Sequence, residues 1–230
     1  MDINRFTHTK NLAGEKCLVI GSGISGMGSA GLLEHMGADV ILYDGKEGLT
    51  QEELQSKLPE SSKALCVAGD LPQEVKKDIT AVVLSPGVPV DLPVVQEFRE
   101  AGAEIMGEIE LGYREEKGRV AAITGTNGKT TTTALLGELM GLLGHKVAVG
   151  GNIGMALSAQ AASVGKEDVV VAEISSYQLE GISQFKPKVA AILNLTPDHL
   201  ARHGSIENYQ NVKESIFSNQ DINDYLVLNF

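Results

Sequence analysis

The sequence predicts an α/β protein made of two parallel-sheet domains in tandem. Three observations carry this expectation. Short apolar runs alternate with amphipathic stretches along the chain, the pattern of βαβ units. Two of those runs break into glycine-rich turns, Gly21-Ser22-Gly23-Ile24-Ser25-Gly26 and Gly125-Thr126-Asn127-Gly128-Lys129-Thr130, and then become helical. A charged segment, Arg114-Glu115-Glu116-Lys117-Gly118, separates the two halves.

In order, the first half offers strand candidates at 17–21, 39–44, 64–69, 81–85 and 104–107, and the second at 120–124, 146–150, 168–174, 189–195 and 224–229. The boundary is expected near residue 107, giving a domain over 1–107 and another over 108–230. The chain has 230 residues, 43% of them hydrophobic, enough to bury two ordinary cores.

Composition narrows the function. The net charge of −11 repels polyanions, so a phosphate site must be a local cluster of N–H groups and a few cations, and nucleic acid is excluded as the expected partner. No stretch is long and apolar enough to span a bilayer, and the polar opening MDINRFTHTKNLAGEK lacks a signal-peptide core, so a cytoplasmic protein with no membrane partner is expected. The two cysteines, Cys17 and Cys66, lie in apolar strand-like runs and read as buried thiols.

The first glycine turn has the GxGxxG spacing directly after a strand and at the start of a helix. Backbone N–H groups and the helix dipole can meet a pyrophosphate there, and Asp44 ends the next strand, where an acid would read a ribose hydroxyl. This is a Rossmann-like pattern, and taken alone it points to an NAD-dependent oxidoreductase.

The second turn is a shortened phosphate loop, GxxGK[ST]. Its N–H groups would cradle phosphates, Lys129 would reach the terminal ones and Thr130 would ligate Mg²⁺, as in a P-loop NTPase. Glu173 ends one buried strand and is a candidate to hold the metal or its water. Thr196-Pro197-Asp198-His199 ends the next, placing the His199 imidazole at the same edge, whereas His8, His35, His145 and His203 read as ordinary surface or core residues.

Lys213 falls on the apolar face traced by Ile206, Tyr209, Ile216 and Phe217. It either snorkels to water or is functional. Burial would favour the neutral amine, which can react with CO₂ to form a carbamate, an extra anionic metal ligand.

Four ordered motifs, GTNGKTTTT, GGNIG, EISSYQLE and NLTPDHLARHGSIENYQNVK, resemble those of the Mur ligases of peptidoglycan synthesis. Within that family, Ser-Ser-Tyr-Gln-Leu after Glu173 is similar to the members that add D-glutamate to UDP-N-acetylmuramoyl-L-alanine. The resemblance covers the whole chain and overturns the dehydrogenase reading, because in that family the first, Rossmann-like domain holds a uridine diphosphate.

It implies that Gly125, Thr126, Asn127, Gly128, Lys129, Thr130 and Thr131 bind ATP, with Thr130 and Glu173 on one Mg²⁺ and His199 and a carbamylated Lys213 serving a second. Lys129, Glu173, His199 and Lys213 would be the catalytic set. It further implies that Ile24, Ser25, Asp44 and Lys46, with Ser85, Pro86 and Gly87, contact the uracil and diphosphate, and that Asn152, Ser175 and Gln178 lie near the sugar and its alanyl arm. Ala201 departs from the pattern, which usually has aspartate there, and this bears on a bond or metal-shell role for the missing carboxylate.

The implied chemistry is phosphorylation of the alanine carboxylate to an acyl phosphate, followed by attack of an amine. Family members continue beyond the point where this sequence stops, so a truncated form that binds the UDP substrate but ligates poorly is expected. Its final strand, left unpaired, would favour self-association. A non-catalytic nucleotide-binding module is the other reading left open.

Overall fold

A computed structural model describes residues 12–229. The first half runs β1 (Lys16–Ile20), α1 (Ile24–His35), β2 (Asp39–Asp44), α2 (Gln51–Ser56), β3 (Leu65–Ala68), α3 (Gln73–Lys76), β4 (Ala81–Leu84), α4 (Pro93–Glu100) and β5 (Glu104–Gly107). The second runs α5 (Glu108–Glu115), β6 (Arg119–Thr124), α6 (Lys129–Leu142), β7 (Val147–Gly151), α7 (Leu157–Ala161), β8 (Val169–Glu173), α8 (Ser176–Leu179), β9 (Val189–Ile192), α9 (Leu200–His203), α10 (Ile206–Glu214) and β10 (Tyr225–Leu228). The ten strands of the described residues fall within the apolar runs that predict them, give or take their ends.

Local chemistry sets several boundaries. Thr50 and Glu53 form a reciprocal capping box at the start of α2, and Pro93 opens α4, where its missing N–H costs nothing. The run expected to extend to 195 ends as β9 at Ile192, because Asn194 turns away to bond the phosphate loop.

Both sheets are wholly parallel, in the orders β3-β2-β1-β4-β5 and β10-β9-β6-β8-β7. Their central strands are buried on both faces, as parallel sheets require. Cys17 and Val19 of β1 point into one apolar layer and Leu18 and Ile20 into the opposite one. Cys17 and Cys66 are both buried in the first of these layers. In the second sheet, Val120 and Ala122 face the layer containing Phe185 and Ile216, while Ile123, Val169 and Val171 face α6 through Leu136 and Met140. β10 is an edge strand, exposed along its length.

In each sheet the strand order reverses beside the strand that feeds a glycine turn. β1 lies between β2 and β4, and β6 between β9 and β8. Crevices at the carboxyl ends of strands next to such switch points are where open α/β sheets bind ligands.

The two halves meet through small residues. A Cβ on Gly28 of α1 would lie 2.9 Å from the Ser158 hydroxyl across the junction, and within the second half one on Gly112 of α5 would lie 2.7 Å from the Ser158 backbone nitrogen. Gly107 and Gly181 touch backbone to backbone, with a Gly107 N–H to Gly181 carbonyl bond of 2.7 Å. Helix α5 buries Leu111 in a layer of the first sheet and Ile109 in one of the second, so both cores hold it.

Candidate active site

The phosphate loop leaves β6 through Gly125 (φ +148°) and enters α6 through Gly128 (φ +80°), backbone conformations that a side chain would strain. The first intrahelical bond runs from Thr132 N–H to the Gly128 carbonyl. The N–H groups of Lys129, Thr130 and Thr131 therefore precede any helical acceptor and form the donor end that anions seek.

Asn194, which the sequence reading passed over, braces the loop. Its carbonyl accepts from Thr126 N–H, its side-chain oxygen accepts from Asn127 N–H, and its amide donates to the Asn127 carbonyl. Tyr209 adds a hydroxyl contact of 3.2 Å to Thr126. Asn194 opens the NLTPDHLARH motif inside the run expected to be strand to 195, a polar residue in an apolar run being its one visible signal.

Lys129 folds back on its own loop, donating to the Gly125 and Thr126 carbonyls at 3.1 and 2.9 Å. The Thr130 hydroxyl donates to Glu173 Oε2 at 2.7 Å, and Asn152 donates to Glu173 Oε1 at 2.8 Å. Thr130, Asn152 and Glu173, from three separate motifs, thus join at the carboxyl ends of β6, β7 and β8. Glu173 is buried, with both oxygens engaged.

Among the described residues no cluster of three or more His, Cys, Asp or Glu side chains could hold a metal. Thr130 and Glu173 offer two hard oxygens of the kind Mg²⁺ accepts when phosphate oxygens and water complete its shell. The residues present fit a phosphate-bound Mg²⁺.

Lys213 is buried under the loop, its ammonium bonded to Thr124 Oγ1 at 3.2 Å and the Gly125 carbonyl at 2.9 Å, and set over the Tyr209 ring. Burial, reinforced by the charge of Lys129 and partly opposed by Asp198, lowers its pKa to about 8. His199 occupies left-handed backbone space (φ +52°) and is half exposed, with Nδ1 3.3 Å from the Tyr177 hydroxyl. Lys213 and His199 each neighbour Tyr209 rather than sharing a hydrogen bond. His203 is a satisfied buried residue, bonded to Ser176 at 3.0 Å, and burial lowers its pKa.

At the first sheet, Ile24 and Ser25 begin α1, Asp44 ends β2 with Lys46 just beyond it, and Ser85, Pro86 and Gly87 follow β4, all at the carboxyl edge. Ile24 is 72% exposed, a large apolar side chain open to solvent beside the turn. Ser85 donates to the Gly21 carbonyl at 3.1 Å. A Cβ on Gly26 would lie 1.8 Å from that same carbonyl oxygen, so the third glycine is needed for close packing of turn and helix.

Ser22, which the sequence reading did not single out, gives Asp44 Oδ2 both its N–H (2.9 Å) and its hydroxyl (2.6 Å), while Oδ1 accepts from Lys46 N–H. Lys57 donates to the Ser22 hydroxyl at 2.9 Å. Burial alone would raise the Asp44 pKa, but these bonds and the Lys57 charge hold it below the ordinary carboxylate value. Its oxygens are largely committed to the turn, leaving little to read a ribose hydroxyl.

Ser175 and Gln178 form a capping box on α8: the Gln178 side-chain oxygen accepts from both Ser175 N–H and Oγ. Gln178 is buried, so of the three residues expected near the sugar, Asn152 and Ser175 are the more accessible.

Comparisons with known proteins bear on the fold and the family. The family profile of the Mur ligase MurD-like N-terminal domain matches residues 15–107, and that of the Mur ligase middle domain matches residues 123–230. The chain is 47% identical over 220 residues to the UDP-N-acetylmuramoylalanine–D-glutamate ligase of Lachnoclostridium phytofermentans, covering 96% of this chain and 48% of that protein. It is 45% identical over 216 residues to the protein of the same name from Caldanaerobacter subterraneus, covering 94% and 48%. The chain thus spans about half the length of the curated relatives it matches.

Among solved structures, UDP-N-acetylmuramate-alanine ligase MurC from Thermotoga maritima aligns with TM-score 0.54 at 25% identity, over 93% of this chain and 48% of that one. The UDP-N-acetylmuramate:L-alanyl-gamma-D-glutamyl-meso-diaminopimelate ligase of Neisseria meningitides shares the fold, with TM-score 0.62 at 18% identity over 94% and 72%. The chain belongs to the Mur ligase family, its first sheet forming the MurD-like amino-terminal domain and its second the Mur ligase middle domain.

Proposed function

We propose that this chain forms the UDP-sugar-binding and ATP-binding portions of a cytoplasmic ligase that adds D-glutamate to UDP-N-acetylmuramoyl-L-alanine. The observation that carries the reading is the Thr130–Glu173–Asn152 junction beside Lys129. A dehydrogenase has no use for it. Asp44 points the same way, since it is committed to its own glycine turn.

In this reading the N–H groups at the start of α6 hold the ATP phosphates, and Lys129 leaves its two carbonyl partners to reach the terminal ones. Thr130 and Glu173 hold Mg²⁺, and Asn152 keeps Glu173 aimed at it. When bound, Mg-ATP supplies the phosphoryl group that turns the alanine carboxylate into an acyl phosphate, from which the amine of D-glutamate displaces phosphate. His199 and Lys213, the latter as a carbamate, serve a second metal. The low pKa of Lys213 keeps a sizeable neutral fraction for reaction with CO₂. Ile24, Ser25, Lys46, Ser85, Pro86 and Gly87 receive the uridine diphosphate, with Asp44 fixing the turn beneath it.

The test is calorimetric titration with UDP-N-acetylmuramoyl-L-alanine, Mg-ATP and NADH in parallel. Saturable binding of the first two without NADH is the expected result. Binding of NADH without the UDP-sugar would overturn the reading of the first domain. Ligation is a separate assay.

A further inference from the structure

One side chain bridges the two halves at their carboxyl edges. Arg202 of α9 holds Glu180 through Nε (3.2 Å to each oxygen) and Nη2 (2.6 Å to Oε2), and the same Nη2 donates to the Val88 carbonyl at 3.3 Å. Val88 closes the turn Ser85-Pro86-Gly87-Val88 through its N–H to the Ser85 carbonyl. The guanidinium also lies over the Tyr177 ring, 5.4 Å from its centroid, and the Tyr177 hydroxyl contacts His199.

The stretch 176–181 touches every partner in turn. Ser176 meets His203, Tyr177 meets His199, Glu180 meets Arg202, and Gly181 abuts Gly107 at the end of the first sheet.

His199 needs such support. Among the described residues it and Asp78 are the two non-glycine positions with positive φ, a conformation that persists only when surrounding contacts over-determine it. The Asp198 carboxylate caps its N–H, and its carbonyl accepts from Arg202 and His203 N–H. Its ring is set by the Tyr177 hydroxyl at Nδ1, the Asp198 carboxylate 3.6 Å from Nε2 and the Tyr209 ring, and Arg202 packs over the Tyr177 ring that makes the first of these contacts. The planar fork of arginine suits this node, since it can grip a carboxylate, reach a carbonyl and stack on a ring at once, which a lysine cannot.

We propose that Arg202 is a positioning residue that locks the His199-bearing segment to the Ser85–Val88 turn, so that binding at the uridine-diphosphate edge and at the ATP edge are coupled through it. This rests on the proposed function, which places those two ligands at these two edges. The coupling is reciprocal by thermodynamic necessity: whatever the UDP-sugar does to ATP affinity, ATP does to UDP-sugar affinity.

The test is a set of titrations of the whole chain with UDP-N-acetylmuramoyl-L-alanine and with a non-hydrolysable Mg-ATP analogue, each alone and each with the other saturating. They compare wild type, Arg202→Lys and Arg202→Met. Wild type should bind each ligand about fivefold more tightly with the other present. Arg202→Met should lose that factor while its single-ligand affinities stay within about twofold, and Arg202→Lys should fall between. A merely structural arginine would lower melting temperature and both affinities but leave the ratio unchanged, and that result overturns the proposal. So does a wild-type ratio of one.

Hydrogen exchange of the ligand-free chain supplies a readout independent of the functional reading. In Arg202→Met the amides of Val88, His203 and Gly204 should all exchange faster. Acceleration of α9 alone, with Val88 unchanged, would show that no lock joins the two segments. Failure of the UDP-sugar to bind wild type, with linked exchange intact, would instead fault the assignment of the first domain's ligand.

Discussion

The Thr130 hydroxyl lies 2.7 Å from Glu173 Oε2, joining the first turn of α6 to the carboxyl end of β8 across forty-three positions of sequence. In the proposed reading these two oxygens would hold a phosphate-bound Mg²⁺, which would supply charge neutralisation for the phosphates.

Removal of either oxygen should therefore weaken Mg-ATP binding. Thr130→Ala and Glu173→Gln are each expected to lower affinity about tenfold or more, from the loss of about 1.5–3 kcal/mol of charge-assisted interaction. Thr130→Ser should keep most of it. Calorimetry with and without Mg²⁺ checks this, and a Glu173→Gln variant with unchanged Mg²⁺ dependence would remove Glu173 from the metal site.

Lys213 should leave a pH signature. Its folded pKa of about 8 lies below the ordinary lysine value, so the folded state disfavours the charged amine. The penalty is complete below pH 8 and is relieved as pH rises toward 10.5, so stability relative to Lys213→Met should increase over that interval. The limiting gain is about 3 kcal/mol, at 1.36 kcal/mol per pKa unit. Urea unfolding of both proteins in CO₂-free buffer between pH 7 and 9.5 measures the slope, and a flat difference would mean a solvated ammonium.

The same neutral amine should take up CO₂. With ¹³C-bicarbonate and Mg²⁺, a carbamate resonance is expected in wild type and not in Lys213→Arg. A signal that survives in Lys213→Arg would belong to another amine.

The packing of α5 against α7 leaves no room for a side chain at Gly112. Gly112→Ala would place a Cβ 2.7 Å from the Ser158 nitrogen, against backbone that cannot swing away. Overpacking of this kind costs about 1–3 kcal/mol, read as a lower urea midpoint. Gly31→Ala, on the same α1 that carries Gly28 but with no atom within 4 Å of its Cβ, is the control and should be neutral or mildly stabilising.

The exposed β10 edge should associate with itself as concentration rises, and Val227→Lys, which charges that edge, should reduce the effect in light scattering. Monodisperse wild type at high concentration would show that the edge is not adhesive.

The sequence by itself determined the α/β class, the ten strand positions and the two glycine turns, because each is a local pattern: apolar runs of strand length, and glycines where a turn needs positive φ or close approach. It also placed Glu173 and His199 after apolar runs, and Lys129 and Thr130 at the start of the helix that follows one, since the end of an apolar run is visible without coordinates. Only the tertiary structure decided which of these meet. Asn194 braces the phosphate loop, Ser22 takes up the Asp44 carboxylate, Gln178 turns inward to cap α8, and Arg202 reaches from one half to the carbonyl of Val88 in the other. These pairings depend on strand order. In a parallel sheet, strands far apart in sequence become neighbours through crossovers, and periodicity along the chain carries no record of that order. The pKa of Lys213 belongs to the same class: its position on an apolar face was legible, but the depth of its burial and the nearness of Lys129 come from how α10 packs beneath the loop.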